Sequence, residues 1–202
     1  MPSASGARRR RRTPEQAERE ILEATEDFLR DRPFRDLTID EVMDRTGLSR
    51  PSFYVYFRDR HHLALRLLED LAAQIYEESN PWLEGSGEPL GDLRALIEGS
   101  IATLAEHGPL LRAIADAATE DAEVERAYRT SVGGFIATAT ARIERDVAAG
   151  RATSLDPAVL AAALVWMNER YLLQHPVPDT PEDQRRVGDA LIQIWTRAIY
   201  GD

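Results

Sequence analysis

The stretch Thr38–Phe57, TIDEVMDRTGLSRPSFYVYF, constrains the fold more than any other part of the chain. It holds two short amphipathic segments around one glycine. Thr38 is placed to cap a first helix, with Glu41 three residues on to complete a capping box. Ile39, Val42 and Met43 form one apolar stripe at helical spacing. Gly47 follows Thr46 and supplies the positive φ that a helix stop needs. Leu48 is an apolar pin between the two segments. Ser49 is placed to cap the second helix, and Pro51 falls in its first turn, where no intrahelical N–H bond is lost. Phe53 and Phe57, four apart, face a core, which leaves Arg50, Ser52, Tyr54 and Tyr56 facing outward. Two helices around a tight turn, the second carrying cationic, hydroxyl and phenol groups, have the layout of a helix-turn-helix that reads duplex DNA.

A net charge of −10 conflicts with that layout, and its distribution resolves the conflict. Residues 1–62 hold 13 Arg against 12 Asp and Glu, while the remainder holds 12 Arg against 23 acids. Within Arg45–Arg60 there are four Arg and one acid. The acidic two-thirds is repelled by phosphate, so only the N-terminal portion can approach a duplex. There are 202 residues, 43% of them hydrophobic, enough for a sizeable core. No apolar run reaches about 18 residues and no apolar segment follows the N-terminal charges, so neither a membrane span nor a secretory signal is expected. The absence of cysteine excludes disulfides, thiolate catalysis and cysteine-ligated metals. These features fit a cytoplasmic protein.

Along the chain, residues 1–13 form a Ser/Ala/Arg-rich arm too polar to fold. It either follows DNA phosphates or a minor groove, or is a solvated tail. Thr13-Pro14 opens a first helix whose apolar positions are Ala17, Ile21, Ala24 and Phe28. It ends near Asp31, because Pro33 disfavours helical geometry at Arg32. Asp59 caps a fourth helix with Leu63, Leu67, Leu71 and Ile75 spaced by four, ending at Ser79-Asn80-Pro81. His61 and His62 point about 100° apart on it and have no further ligand at metal spacing, so a surface or interdomain role is expected. Gly85–Pro89 reads as a linker. Beyond it, a helix through Leu93 and Leu104 breaks at His107-Gly108-Pro109, and a short one carries Leu110, Leu111 and Ile114. Further helices span Glu120 to about Ala149, 157–174 and the segment after Thr180, the last two separated by a His175–Pro181 loop. No period-two alternation occurs. The fold class is all-α with about nine helices: a disordered arm at 1–13, a DNA-binding head at 14–60 and a larger ligand-binding and dimerisation domain at 61–202.

The larger domain carries its own constellations. Ala158–Met167 is apolar all round and must be buried on every side, and the last helix has a broad apolar face. Two such helices imply a four-helix interface with a second copy. Asn168, at the end of the apolar run, either offers a donor and an acceptor to a bound molecule or caps a neighbouring backbone group. Glu169 and Arg170 read as surface or interfacial ions. Gly133-Gly134 inside a helix leaves room for a crossing helix or a ligand. Phe135, Trp166 and Trp195 are candidate walls of a cavity, or plain core.

Taken together, these residues resemble the TetR/AcrR family of bacterial transcriptional regulators. The resemblance is tight from about Glu20 to Leu68, ending in F-x-D-R-x-x-L where the family often has F-x-S-K-x-x-L. Met167-Asn168-Glu169-Arg170, Ile194-Trp195 and Ile199-Tyr200-Gly201 are similar to the EthR-type branch. The resemblance implies phosphate contacts at Thr38, Tyr54, Tyr56 and Arg60, and base-edge contacts at Arg50, Pro51 and Ser52. Asp40 stands where some relatives have a base reader, and either accepts from a base or supports the cap. It implies ligand contacts at Asn168, Trp195 and Phe135, whereas Arg94, Ile97 and Thr138 stand where relatives carry other pocket aromatics.

The leading functional expectation is a homodimeric repressor. It is released from a near-palindromic double-stranded DNA operator by a small hydrophobic effector, with no cofactor, metal or membrane partner. An activator with the same head is the alternative. A helical enzyme is disfavoured, because G-x-S-x-G, P-loop, GxGxxG and H-E-x-x-H motifs are all lacking.

Overall fold

The computed structural model describes residues 12–85, 88–153, 155–175, 178 and 180–201, the side chains of 78–81, 83 and 84 excepted. The arm at 1–11, Ser86-Gly87 of the linker and part of the 175–181 loop lie outside the described residues. Among the described residues there are eight α-helices and no strand: α1 (Pro14–Asp31), α2 (Ile39–Thr46), α3 (Arg50–Tyr56), α4 (Arg60–Glu84), α5 (Pro89–Glu120), α6 (Ala122–Ala148), α7 (Pro157–Gln174) and α8 (Pro181–Tyr200). A 3-10 turn at Phe34–Asp36 joins α1 to α2.

Local chemistry accounts for most helix ends. Thr13 and Gln16 form a reciprocal capping box on α1. Asp156 and Thr180 cap α7 and α8. Gly47 ends α2 in the left-handed region at φ 64°. Two expected caps differ. The Glu41 carboxylate accepts from the Thr38 hydroxyl at 2.8 Å and from Arg32, so only the Thr38 half of the box reaches backbone. Ser49 makes no side-chain cap and lies 2.9 Å from the Ser52 hydroxyl.

Eight helices replace the expected nine because Pro109 does not break the chain. It sits inside the 32-residue α5. An interior proline costs about 3 kcal/mol. Leu93, Ile97 and Ile101 are buried on one side of it, and Leu110, Ile114 and Ala117 on the other. At roughly 1.5–3 kcal/mol per large apolar side chain, continuity outweighs the break. Similarly, α4 runs past Pro81 to Glu84 and carries Trp82 to complete burial. The expected start of α6 at Glu120 moves to Ala122, because Asp121 is extended and its carboxylate accepts from the Glu123 and Val124 amides. Gly133 and Gly134 face solvent, and a Cβ on either would meet nothing within 4 Å. Neither a crossing helix nor a cavity within the subunit explains them.

Two apolar clusters form. One joins α1–α3 to the first half of α4, the C-terminal half of α5 and the start of α6, so the core of the helix-turn-helix continues into the larger part of the chain. The other gathers Trp82, the N-terminal half of α5, the C-terminal half of α6, α7 and α8. A buried ionic network braces this second cluster. Arg142 donates to Asp146 at 2.9 Å and to the Trp82 carbonyl at 2.6 Å, and Arg151 and Tyr200 also donate to Asp146. Burial alone would raise the Asp146 carboxyl, but donors from Arg142, Arg151 and Tyr200 hold it below its ordinary 3.8. Burial and the same carboxylate push the Tyr200 phenol up to about 12.

Removing one partner of a buried pair leaves the other uncompensated. Asp146→Asn is expected to lower stability at pH 7 by roughly 3–5 kcal/mol in denaturant unfolding. The folded value of Asp146 lies below the unfolded one, so its contribution is complete above pH 3.8 and lost as pH falls through the folded value. The gap between wild type and variant should therefore narrow below pH 3.8.

Candidate nucleic-acid interface and internal cavity

The outward face of α3 is built by the burial of Phe53 and Phe57, whose rings lie 5.3 Å apart in the core. That anchoring leaves Arg50, Pro51, Tyr54 and Val55 exposed, with Ser52 and Tyr56 partly covered. Val55, absent from the sequence expectation, is 75% exposed, in helical register with Pro51. Its signal was its offset by two from the Phe53–Phe57 stripe. Thr38 is exposed at the N-terminus of α2. Arg12 donates to the Thr46 carbonyl at the far end of α2, where a cation suits the helix dipole.

Three of the four arginines of Arg45–Arg60 are already paired with acids. Arg50 meets Asp40 at 2.5 Å and lies 3.5 Å from the Tyr54 hydroxyl. Asp40 thus holds a base-facing candidate instead of bracing the cap. Arg58 pairs with Glu123 at 2.9 Å. Arg60, expected at a phosphate, donates to Glu120 at 2.8 Å and to the Arg35 carbonyl, with its guanidinium 5.0 Å from the centre of the Phe34 ring. It is turned toward the α5–α6 corner, where the Glu120 carboxylate receives it. His61 sits at the same corner, 3.9 Å from Glu120, and His62 accepts the Arg58 amide.

Between the two apolar clusters lies a cavity of about 160 Å³, walled by α4, α5, α6, α7 and α8. Leu68, Leu71 and Ile75 of α4 form one side. Phe135, Asn168 and Trp195 come together on the others. The Trp195 indole donates to Asn168 Oδ1 at 3.1 Å and meets the buried Trp82 ring edge-on at 5.9 Å. Trp166 is not brought to this cavity. It lies one residue from Val165, which does line it, and turns about 100° away into an outer cleft beside Arg112 and Arg129. Of the positions where relatives carry aromatics, Ile97 lines the cavity, Arg94 pairs with Asp189 at 3.0 Å, and Thr138 bonds back to the Gly134 carbonyl.

Among the wall residues that sequence reasoning missed are Trp82, Ser100, Tyr128 and Glu169. Glu169 reads as a surface ion, yet its side chain is 10% exposed and accepts from the Tyr128 hydroxyl at 2.5 Å. Burial first, and the carboxylate second, push the Tyr128 phenol far above its usual range. The available signal was the helical spacing from Val165 through Asn168 to Leu172, which brackets Glu169.

A helix-turn-helix whose core continues into a helical body with an internal apolar cavity defines a class of DNA-binding regulator. Residues 21–67 match the family described as bacterial regulatory proteins, tetR family, and residues 93–201 match transcriptional regulator EthR, C-terminal domain. The HTH-type transcriptional regulator EthR of Mycobacterium tuberculosis is 32% identical over 98% of this chain and 93% of its own length. The chain belongs to the TetR family of transcriptional regulators, on its EthR-type branch. Among solved structures, the TetR family regulator PfmR from Thermus thermophilus superposes with a TM-score of 0.75 at 17% identity, covering 88% of this chain and 97% of that one. AibR, solved in complex with isovaleryl coenzyme A and operator DNA, gives 0.72 at 14% identity, covering 92% and 98%.

The geometry separates cavity walls from bystanders. Ser100 lines the cavity, so Ser100→Leu is expected to weaken binding of an apolar probe such as toluene at least tenfold. Trp166→Phe should leave it within twofold. Thermal shift and calorimetric titration of the folded variants measure both.

Proposed function

We propose that the chain is a homodimeric repressor, acting in the cytoplasm and released from a near-palindromic operator by a small hydrophobic effector. In this reading 14–60 is the DNA-binding head and 61–202 the ligand-binding and dimerisation domain. The observation that carries the proposal is the position of α4. Only three residues separate it from α3, and it also forms one wall of the cavity. A molecule that fills the cavity presses on the helix that carries the head. An effector that prefers the head spacing unable to span two half-sites, about 34–36 Å apart, lowers operator affinity by linkage.

Arg50, Pro51 and Ser52 would meet base edges, with Arg50 suited to guanine O6 and N7. Thr38, Tyr54 and Tyr56 would meet phosphates. Arg60 would join them only by releasing Glu120, a partly exposed pair worth about 1 kcal/mol or less. AibR's complex supports pairing this fold with an operator and a ligand. Exposed Val159, Tyr171 and Ile194 on α7 and α8, 66%, 39% and 45% accessible, support a second copy packed there.

Gel shifts on the DNA upstream of the gene, with and without apolar small molecules, test the reading. Only salt-erased, sequence-independent binding would falsify it. Arg50→Ala is expected to cost about 1–3 kcal/mol at one base pair of each half-site and to relax the preference there. Ile194→Arg should convert dimer to monomer in sedimentation and weaken operator binding, while circular dichroism keeps its helical signal.

A further inference from the structure

Resting on the cavity as the effector site, we infer that its ligand is an apolar molecule carrying an N–H donor, an amine or an N–H amide, received by Glu169. Glu169 Oε1 is occupied by the Tyr128 hydroxyl at 2.5 Å, whereas Oε2 is buried with no hydrogen-bond donor. The nearest cation, the exposed Arg170, keeps its Nε 3.9 Å away, beyond hydrogen-bond reach. A buried carboxylate oxygen without a donor is costly, and a donor brought by a ligand relieves that cost.

The neighbouring amide has its orientation set. Trp195 Nε1 can only donate, so the Asn168 oxygen must face it, as it does at 3.1 Å. The Asn168 nitrogen is therefore the atom not claimed by the indole. Glu169 stands in the wall between the cavity and the outer cleft beside Trp166 and lines both, so the polar groups the cavity wall carries include Glu169 as an acceptor, Asn168 as a donor, and the hydroxyls of Ser100 and Ser131. An N–H next to a carbonyl satisfies both Glu169 and Asn168, and an ammonium satisfies the stronger of the two. A carboxylate ligand meets a like charge, and a molecule without a donor leaves Oε2 as it stands.

The test uses the full chain and four probes that share a six-carbon chain: hexylamine, hexanamide, N,N-dimethylhexanamide and hexanoate. Calorimetry at pH 7 should give hexylamine and hexanamide at least tenfold tighter binding than the other two. The comparison of hexylamine with hexanamide distinguishes the two sources of the donor. In Glu169→Gln, whose carboxamide can still accept from Tyr128 while presenting a donor in place of Oε2, that advantage should disappear. If all four probes bind wild type within threefold of one another, or hexanoate or the dimethyl amide binds tightest, the donor assignment falls and the cavity reading stands. Retention of the advantage in a folded Glu169→Gln overturns it in the same way. Should none of the four bind, both readings fall.

Discussion

Burial along the full length of α5 holds the two ends of this molecule in one piece. Its N-terminal half packs in the cluster that holds Trp82, Trp195 and Ile199, and its C-terminal half packs under the helix-turn-helix. A kink at Pro109 would separate those two contacts. The apolar side chains on both sides of the proline are buried, and their combined transfer free energy exceeds the cost of one missing backbone bond. Because α5 stays continuous, α4 and α6 pack along it as long helices, and the space where the two clusters do not merge becomes a cavity. The cavity thus shares α4 with the core of the helix-turn-helix, and α7 and α8 with the exposed Val159, Tyr171 and Ile194.

The charge pattern adds a second layer. The basic surface near α3 is covered by its own acids, Asp40 on Arg50, Glu123 on Arg58 and Glu120 on Arg60. These pairs are at least partly exposed, and such pairs contribute on the order of 1 kcal/mol or less. Phosphate contacts that release counterions compete readily with them. Two of the three acids sit at the α5–α6 corner, so the Arg58 and Arg60 pairs also tie the start of α4 to that corner. Beneath this, the Arg142–Asp146 network is nearly inaccessible to solvent and keeps the far end of α6 fixed to α4 and α8.

Most of the helices and the helix-turn-helix were legible in the sequence because their signals are local. Capping residues, a glycine at positive φ and apolar residues three and four apart act within a few residues of one another. Phe135, Asn168 and Trp195 were legible as a group through their resemblance to relatives, and they meet at one cavity. Trp166 was not separable from them, because a neighbour in sequence on a helix points elsewhere in space. Glu169 was misread for the opposite reason. A carboxylate next to an arginine looks like a surface ion until α6 places Tyr128 against it.

The sequence by itself determined the helical content, the acidic body with its arginine-rich stretch at Arg45–Arg60, and the turn at Gly47 that sets α3 apart from α2. Each of these depends on backbone preference or on charge, which a residue carries wherever it lies. Only the tertiary structure decided that α5 crosses Pro109 unbroken, that Arg60 turns toward Glu120, that Trp82 is buried, and that Glu169 is left with an unpaired oxygen. Each of those outcomes depends on which face of one helix meets which face of another, and contacts between residues far apart in the chain set that rotation.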